Sequence, residues 1–154
     1  MLRDGIVEPS SSAWSSPILL ILKRDGTYRC CVDYRRLNRV TKKDAYLLPL
    51  ISGILDKLRD ARYLSSLDIK SAYWQVPVET ESREFTVFSG RGLFQFRRVP
   101  FGISNAPATF QQLIDTVLGH DLKAYVFQYL DDIVIVTSSF EKHMEVLQLL
   151  FERL

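Results

Sequence analysis

Three aspartates of the sequence have the type and the setting needed to bind a metal ion. Asp131 and Asp132 are adjacent and lie between two apolar, β-rich segments, Tyr-Val-Phe-Gln-Tyr-Leu and Ile-Val-Ile-Val-Thr. Two neighbouring carboxylates repel each other unless a cation neutralises them. Asp68 ends another predicted strand, and if that strand pairs with the first two, three carboxylates meet at one sheet edge. Such hard oxygen ligands are those that Mg²⁺ prefers.

The same aspartates also allow a structural interpretation. Aspartate is common in tight turns, because its side chain accepts hydrogen bonds from nearby backbone amides. An Asp-Asp pair alone favours that interpretation, whereas the apolar flanking strands and the third carboxylate favour a metal site. Two metal ions roughly 3.5 to 4 Å apart would catalyse phosphoryl transfer, one activating the attacking hydroxyl and the other stabilising the leaving group.

A basic segment could bind the phosphates of such a reaction. From Lys23 to Lys43 there are eight basic and two acidic residues, a net charge of +6 in a chain whose total is +2. Lys23, near the tip of a predicted hairpin, and Arg29, on its second strand, are placed to bind phosphate oxygens that metal does not hold. A solvated basic face would have the same composition, and charge by itself does not decide between the two.

Length and composition limit the class of protein. The 154 residues are 47% hydrophobic and 25% charged, which is typical of one globular domain with a core. No apolar run approaches the roughly 20 residues of a transmembrane helix, and Asp4, Glu8 and Pro9 interrupt the region where a secretory signal is apolar. Cys30 and Cys31 are adjacent, a spacing that suits neither a disulfide framework nor a metal site. We therefore expect an intracellular protein without a membrane partner.

Hydrophobic spacing and turn residues predict the elements that position these residues. Strand pairs are expected at residues 18–22 with 28–33, at 85–96 and at 125–137, the last with Asp131-Asp132 at its turn, and one more strand at 63–69. Helices are expected from Pro49 to Leu58, from an N-cap at Asn105 to Gly119, and after a capping box at residues 138–141, with Met144, Leu147, Leu150, Phe151 and Leu154 on its apolar face. His120 and His143 are expected to be surface or helix histidines. The mixture predicts an α+β fold with helices on one face of a mainly antiparallel sheet.

The sequence also resembles that of reverse transcriptases. Residues 129–132, Tyr-Leu-Asp-Asp between two apolar strands, are similar to the catalytic box of that family. Four further blocks resemble the family's successive blocks in order and spacing, namely residues 14–17, 32–38, 66–73 and 100–111. The residues of the last block are similar to those of gypsy-type long-terminal-repeat retrotransposon polymerases. The resemblance covers essentially the whole chain.

This resemblance implies a fold of fingers and palm. The fingers would comprise about residues 1–41 and 78–99, and the palm about residues 42–77 and 100–154. The family follows the last helix with a primer grip and a thumb, and residues 1–154 are expected to form a reverse transcriptase domain without them.

By position within the motifs, the resemblance also implies the metal site. Asp68, Asp131 and Asp132 would be the catalytic carboxylates and, with the backbone carbonyl of Ile69, would hold two Mg²⁺ ions, with Mn²⁺ as a substitute.

The implied nucleotide site lies in other blocks. Lys23 and Arg29 would hold the triphosphate, and the ring of Tyr73 would clash with a ribose 2′-hydroxyl and so select deoxynucleotides. Ala72 and Phe101 belong to the same set, although retroviral relatives carry glutamine at the position of Phe101, so that a polar contact there is not carried over.

The nucleic acid would be held elsewhere in the chain. Arg35, Asn38 and Gly102 would border the template strand, and Tyr129 would lie near the primer end.

The function so implied is that of an RNA-directed DNA polymerase, a nucleotidyltransferase that extends a primer 3′-hydroxyl by attack on a deoxynucleoside triphosphate. Its partners would be an RNA or DNA template with primer, and the remainder of a Pol polyprotein with RNase H and integrase. Its location would be the cytoplasm, virus-like particles or the nucleus. The alternative is a catalytically idle, nucleic-acid-binding or decayed retroelement remnant that lacks a thumb.

Overall fold

The computed structural model describes residues 1–46, 58–59 and 61–154. Its elements are, in order, β1 (Val7–Pro9), β2 (Ile18–Leu22), β3 (Tyr28–Val32), α1 (Arg35–Val40), β4 (Tyr63–Asp68), two 3₁₀ helices (Ala72–Gln75 and Thr80–Thr86), β5 (Phe88–Gly90), β6 (Gly92–Phe96), α2 (Ala106–Leu122), β7 (Val126–Tyr129), β8 (Asp132–Thr137) and α3 (Phe140–Arg153). All pairs between these strands are antiparallel, which agrees with the predicted α+β fold. The helix expected from Pro49 falls almost entirely outside the described residues.

The chain divides into two compact units. The first comprises Met1–Asp44 and Ser71–Ala106, and the second Ala45–Lys70 and Pro107–Leu154. Each unit therefore uses two separate stretches of the sequence, in the same order as the predicted fingers and palm, whose limits stay a prediction. Among the described residues, none of the helices combines the length and apolar character needed to cross a bilayer.

The first unit contains two small antiparallel sheets. One has the strand order β1-β6-β5, and the other is the hairpin of β2 and β3. Tyr34, just after β3, is 2% exposed, and its hydroxyl donates to the Thr86 carbonyl at 2.7 Å. The Thr86 hydroxyl in turn accepts from the backbone amide of Phe96 at 2.8 Å, so that these bonds connect the end of β3 to β6. Burial raises the pKa of the Tyr34 phenol, which keeps this donor protonated.

The second unit contains a three-stranded sheet with β8 in its centre, in the order β4-β8-β7. Ile133 and Ile135 point to the same face of β8, because successive side chains alternate, and both are fully buried. α3 packs against β8, with Val146 and Leu150 buried on its inner side.

The apolar side of α3 differs from the one predicted. The spacing of Met144, Leu150 and Phe151 predicted a single buried face, but only Leu150 of these three is buried, whereas Met144 is 50% and Phe151 61% exposed. The helix turns His143 and Val146 inward instead. The prediction failed because the pattern contains more apolar residues than one helix face can present to one sheet.

α2 begins at Ala106, directly after Asn105, as predicted, but the Asn105 side chain bonds elsewhere and the predicted end of the helix requires correction. The side chain of Asn105 accepts from the Asp44 amide at 3.1 Å and donates to the Lys42 carbonyl at 2.9 Å, so that its amide is bonded to a preceding segment. At the other end, Gly119 has φ 66° and kinks the helix, but helical structure continues to Leu122.

Other predicted limits shift by a few residues. Residues 80–86 form a 3₁₀ helix where the second hairpin was expected to begin. The cap of α3 is Ser139, whose hydroxyl accepts from the Lys142 amide at 3.3 Å. Asp132 belongs to β8, and the two residues between β7 and β8 are Leu130 and Asp131. The strands pair as far as Tyr129 and Asp132, which moves the predicted turn back by one residue.

Candidate active site

The three aspartates lie at one end of the β4-β8-β7 sheet. Asp68, the last residue of β4, is directly opposite Asp132, the first residue of β8. Asp131 precedes Asp132 in the turn, and its carbonyl accepts from the backbone amide of Ile69 at 2.9 Å. The predicted metal site required the strand of Asp68 to pair with the hairpin that carries Asp131 and Asp132, and β4 does pair with β8.

The turn itself has an unusual backbone. Leu130 has φ 57°, a positive value that is uncommon for residues other than glycine. The carbonyl of Leu130 accepts from the side-chain amide of Gln128 at 2.6 Å. Tyr129, between them, pairs with Asp132 and is 37% exposed.

All three aspartate side chains are exposed at this end of the sheet. Ile133, the next residue of β8 after Asp132, is fully buried. Among the described residues, none of the three carboxylates has a hydrogen bond or an ion pair. No group of three or more His, Cys, Asp or Glu side chains in the described part of the chain lies close enough to hold a metal ion.

The donors thus fit Mg²⁺ by chemical type and by strand register, whereas the side chains do not converge as a ligand set. Exposed carboxylates reach other staggered rotamers without movement of the strands that carry them.

Lys23 and Arg29 line one cleft of the first unit. Arg29 lies opposite Ile21 in the β2-β3 hairpin, and Lys23 begins its turn, where its backbone amide donates to the Thr27 carbonyl at 2.7 Å. The open cleft measures about 510 Å³ and is lined by Ile21, Leu22, Lys23, Arg24, Asp25, Arg29 and Cys31. The hairpin therefore brings the two predicted phosphate-binding residues to the same surface.

Arg35 lines a second cleft of this unit. The cleft measures about 530 Å³ and is lined by Ser15, Ser16, Pro17, Asp33, Arg35, Arg36 and Arg39. The guanidinium of Arg35 contacts the Asp33 carboxylate at 2.6 Å, and hydrogen bonds from Arg35 lower the pKa of Asp33 to about 2. Arg36 and Arg39 add further positive charge, which suits an anionic strand.

Asn38 holds the loop that contains Gly102. Its side chain donates to the Gly102 carbonyl at 2.8 Å and accepts from the amide and the hydroxyl of Ser104 at 2.9 and 3.0 Å. Gly102 has φ 94°, a conformation that glycine adopts without the strain of a side chain. The amide of Asn38 is therefore engaged within the protein, and its contact with a template stays a prediction.

An aromatic cluster surrounds Tyr73. Its ring lies edge-on to that of Phe101, with centroids 5.0 Å apart, and Phe101 also contacts Trp74 at 5.9 Å. Phe101 is 51% exposed, whereas Ala72 is only 2% exposed. Phe101 thus contributes to this position a ring that packs against Tyr73.

Two buried polar residues were not predicted to be interior: Gln128 was not singled out, and His143, expected to be a surface or helix histidine, lies on α3 but is buried. Gln128 is 3% and His143 5% exposed. The imidazole of His143 contacts the Ser65 hydroxyl at 2.8 Å through Nε2 and the Thr137 hydroxyl at 3.0 Å through Nδ1. Alternation along β7 could have marked Gln128, because it occupies an inward position beside Val126, but nothing in the local sequence pairs His143 with β4 and β8.

The chain belongs to the reverse transcriptase (RNA-dependent DNA polymerase) family, which matches residues 21–154. It is 36% identical, over its whole length, to the retrovirus-related Pol polyprotein from transposon opus of Drosophila melanogaster, of which it covers 16%. It is 37% identical over 94% of its length to the Pol polyprotein from transposon 412 of the same organism and to the transposon Tf2-3 polyprotein of Schizosaccharomyces pombe. These matches cover 12% and 11% of the two relatives. The predicted membership of the family, and the likeness to retrotransposon polymerases, are confirmed.

Solved structures agree with this assignment. The foamy viral protease-reverse transcriptase in complex with RNA/DNA hybrid matches 99% of this chain with a TM-score of 0.89 and 27% identity, over 20% of its own length. The foamy viral protease-reverse transcriptase dRH in complex with double-stranded DNA matches 99% of this chain with a TM-score of 0.88 and 27% identity, over 27% of its own length. The reverse transcriptase fold is therefore confirmed.

Proposed function

We propose that this chain is the part of a reverse transcriptase that adds deoxynucleotides to a primer 3′-hydroxyl. The observation that carries the proposal is the register of β4 and β8, which places Asp68 opposite Asp132 with Asp131 in the adjoining turn. Polymerisation needs hard oxygen ligands at one point, and these strands bring three carboxylates to one sheet end.

The carboxylates would hold the metal ions that the reaction requires. Reverse transcriptases generally use divalent metals, which supply activation of the attacking hydroxyl and charge stabilisation of the leaving pyrophosphate. Asp68, Asp131 and Asp132 would be the ligands, with the carbonyl of Ile69 as a further donor. Mg²⁺ fits this all-oxygen set, and Mn²⁺ would replace it.

Residues of the first unit would bind the nucleotide. Lys23 and Arg29 line one cleft, and their cationic groups would bind triphosphate oxygens. Tyr73, supported by the ring of Phe101, would exclude a ribose 2′-hydroxyl by steric clash. Ala72, which is buried, directly precedes Tyr73 and would help to hold the backbone of this site in place.

The template would lie along the second basic cleft. Arg35 lines it together with Arg36 and Arg39, and phosphate contacts of this kind bind any sequence. Asn38 and Gly102 would border the strand through the loop they form, and Tyr129 would contact the primer end.

The proposed setting follows the relatives. This chain spans 11 to 16% of the Pol polyproteins named above. We propose that it works within such a polyprotein, beside RNase H and integrase parts, in the cytoplasm, in virus-like particles or in the nucleus.

Primer extension tests the proposal directly. Asp131→Asn and Asp132→Asn each remove one negative charge without a change in size. We expect Mg²⁺-dependent incorporation of labelled deoxynucleotide by the unchanged chain and its loss in both variants. Glu141→Gln, an exposed carboxylate on α3, is the matched control and should retain activity. Equal activity in all four proteins would contradict the assignment.

A second function is favoured by one observation, which is that the aspartate side chains do not form a ligand cluster in the described residues. In that case the chain would be an idle nucleic-acid-binding remnant. Binding of a primer-template without incorporation, at any Mg²⁺ or Mn²⁺ concentration, would identify this function. Titration with either metal distinguishes the two, because the remnant would show no saturable binding that depends on the aspartates.

A further inference from the structure

The turn that carries Asp131 has a backbone that its own sequence disfavours. The strands pair up to Tyr129 and Asp132, so that Leu130 and Asp131 form a two-residue connection. Of these, only Leu130 has a positive φ, at 57°. Hairpin connections with a positive φ at the first central residue alone are of the type that selects glycine there. A leucine at this position therefore needs support from outside the turn.

That support comes from a buried amide. Gln128 is 3% exposed, and its Nε2 donates to the Leu130 carbonyl at 2.6 Å. Its Oε1 is buried without a hydrogen-bond partner among the described residues. A half-satisfied buried amide is unfavourable, and an apolar side chain beside Val126 would pack without that cost. The bond to Leu130 is thus the interaction that a glutamine provides here and an apolar residue would not.

The opposite side of the turn is bonded as well. The carbonyl of Asp131, the next one along the chain, accepts from the Ile69 amide at 2.9 Å. Ile69 directly follows Asp68, so this bond ties the turn to the strand of the third carboxylate. Two successive carbonyls of the turn are therefore held, one by a side chain from β7 and one by the backbone after β4.

We propose that Gln128 is a positioning residue that fixes the Leu130 carbonyl and, through it, the placement of Asp131 and Asp132 relative to Asp68. This inference rests on the proposed function for the role of the carboxylates, but the bond and its effect on the turn do not depend on it. Without the bond, the peptide plane between Leu130 and Asp131 changes its orientation more easily. The carboxylates of Asp131 and Asp132 are then less often close enough to that of Asp68 to bind the same metal ions.

Three variants test this role. Gln128→Met keeps the length of the side chain and removes the donor, and Gln128→Asn keeps the amide but shortens its reach by one methylene. Leu130→Gly removes the strain, so that the turn no longer needs the bond. Gln111→Met is the matched control, because Gln111 on α2 is 2% exposed and its buried Oε1 also has no hydrogen-bond partner within the described part of the chain.

The first measurement is amide hydrogen exchange of residues 130–132 in the full chain. We expect exchange about five- to tenfold faster in Gln128→Met, equivalent to the loss of one hydrogen bond, and no local change in Gln111→Met. Gln128→Met combined with Leu130→Gly should lose most of this effect, which a general loss of stability would not do. If Gln128→Met does not fold, Gln128→Asn is measured in the same way.

The second measurement is calorimetric titration of the same proteins with Mn²⁺. We expect the dissociation constant to rise about five- to tenfold in Gln128→Met, to recover in the double variant and to stay unchanged in Gln111→Met. Unchanged exchange in Gln128→Met and Gln128→Asn, or an equal effect in Gln111→Met, would overturn the inference. If the unchanged chain binds no Mn²⁺, the proposed metal site fails, while the exchange data still decide the role of Gln128.

Discussion

Asp68 and Asp132 are directly opposite each other on two antiparallel strands, and both side chains are exposed. Like charges at such positions destabilise a sheet by roughly 0.2 to 1 kcal/mol. Ile133 and Ile135 in the centre of the sheet are fully buried. Their packing fixes the register of the strands, and this register places the two carboxylates opposite each other despite their repulsion. A cation between the strands would convert this repulsion into attraction.

The first prediction follows from that repulsion. Asp68→Asn should stabilise the metal-free chain by roughly 0.2 to 1 kcal/mol and should abolish any stabilisation by Mg²⁺. Urea unfolding with and without Mg²⁺ measures both effects. A variant that is stabilised by Mg²⁺ as much as the unchanged chain would contradict a role of Asp68 as a ligand.

The second prediction concerns the cationic cleft. Arg29→Gln and Lys23→Gln should raise the KM for deoxynucleotide roughly ten- to a hundredfold, because each removes a charge-assisted hydrogen bond to phosphate. Arg91→Gln is the control, since Arg91 is an exposed cation in the turn between β5 and β6. Steady-state kinetics at saturating primer-template separates KM from kcat. An equal change in Arg91→Gln would show that total charge alone is responsible.

The third prediction concerns sugar selection. Tyr73→Ala should increase the use of ribonucleotides relative to deoxynucleotides, because a methyl group leaves space for the 2′-hydroxyl. Tyr73→Phe retains the ring and its edge-on contact with Phe101 and should keep the selection. The ratio of kcat/KM for matched ribo- and deoxynucleotides is the measurement. If Tyr73→Ala discriminates like the unchanged chain, another group excludes the ribose.

The fourth prediction is a pH dependence. Hydrogen bonds from Arg35 lower the pKa of Asp33 from 3.8 to about 2. A carboxyl whose pKa is lower in the folded state stabilises the fold above its unfolded pKa and loses this effect as the pH falls through the folded value. The stability difference between the unchanged chain and Asp33→Asn should therefore be present above about pH 4 and shrink toward pH 2. Arg35→Gln should remove the same pH-dependent part, and a constant difference across this range would contradict the pairing.

The fifth prediction concerns His143. Its ring contacts hydroxyls on β4 and β8, and His143→Leu would leave Ser65 and Thr137 without this partner. We expect a loss of about 1 to 3 kcal/mol in the free energy of unfolding. The same substitution in a Ser65→Ala background should cost less, because one of the two bonds is already absent. Urea denaturation of the four proteins gives the coupling, and strictly additive losses would argue against the bond.

The family, the strand-forming segments and the identity of the three aspartates could be predicted from local sequence patterns. Those conclusions were accessible because the blocks at residues 66–73 and 129–132 are local and each signal is complete within a few residues. The antiparallel hairpin around Asp131 was likewise predictable to within one residue, since alternation and turn composition act between neighbours in the chain.

The buried side of α3, the hydrogen-bond partners of Asn105 and Asn38, and the burial of His143 follow from the tertiary structure and from no local pattern. Each of these depends on a partner far along the chain, as Ser65 is for His143 and Gly102 for Asn38. Asp68 and Asp132 were recognisable as acids from the sequence, but their position opposite each other depends on the register in which β4 pairs with β8. Strand pairing of this kind depends on two segments that are far apart in the sequence, so a local sequence pattern does not specify its register.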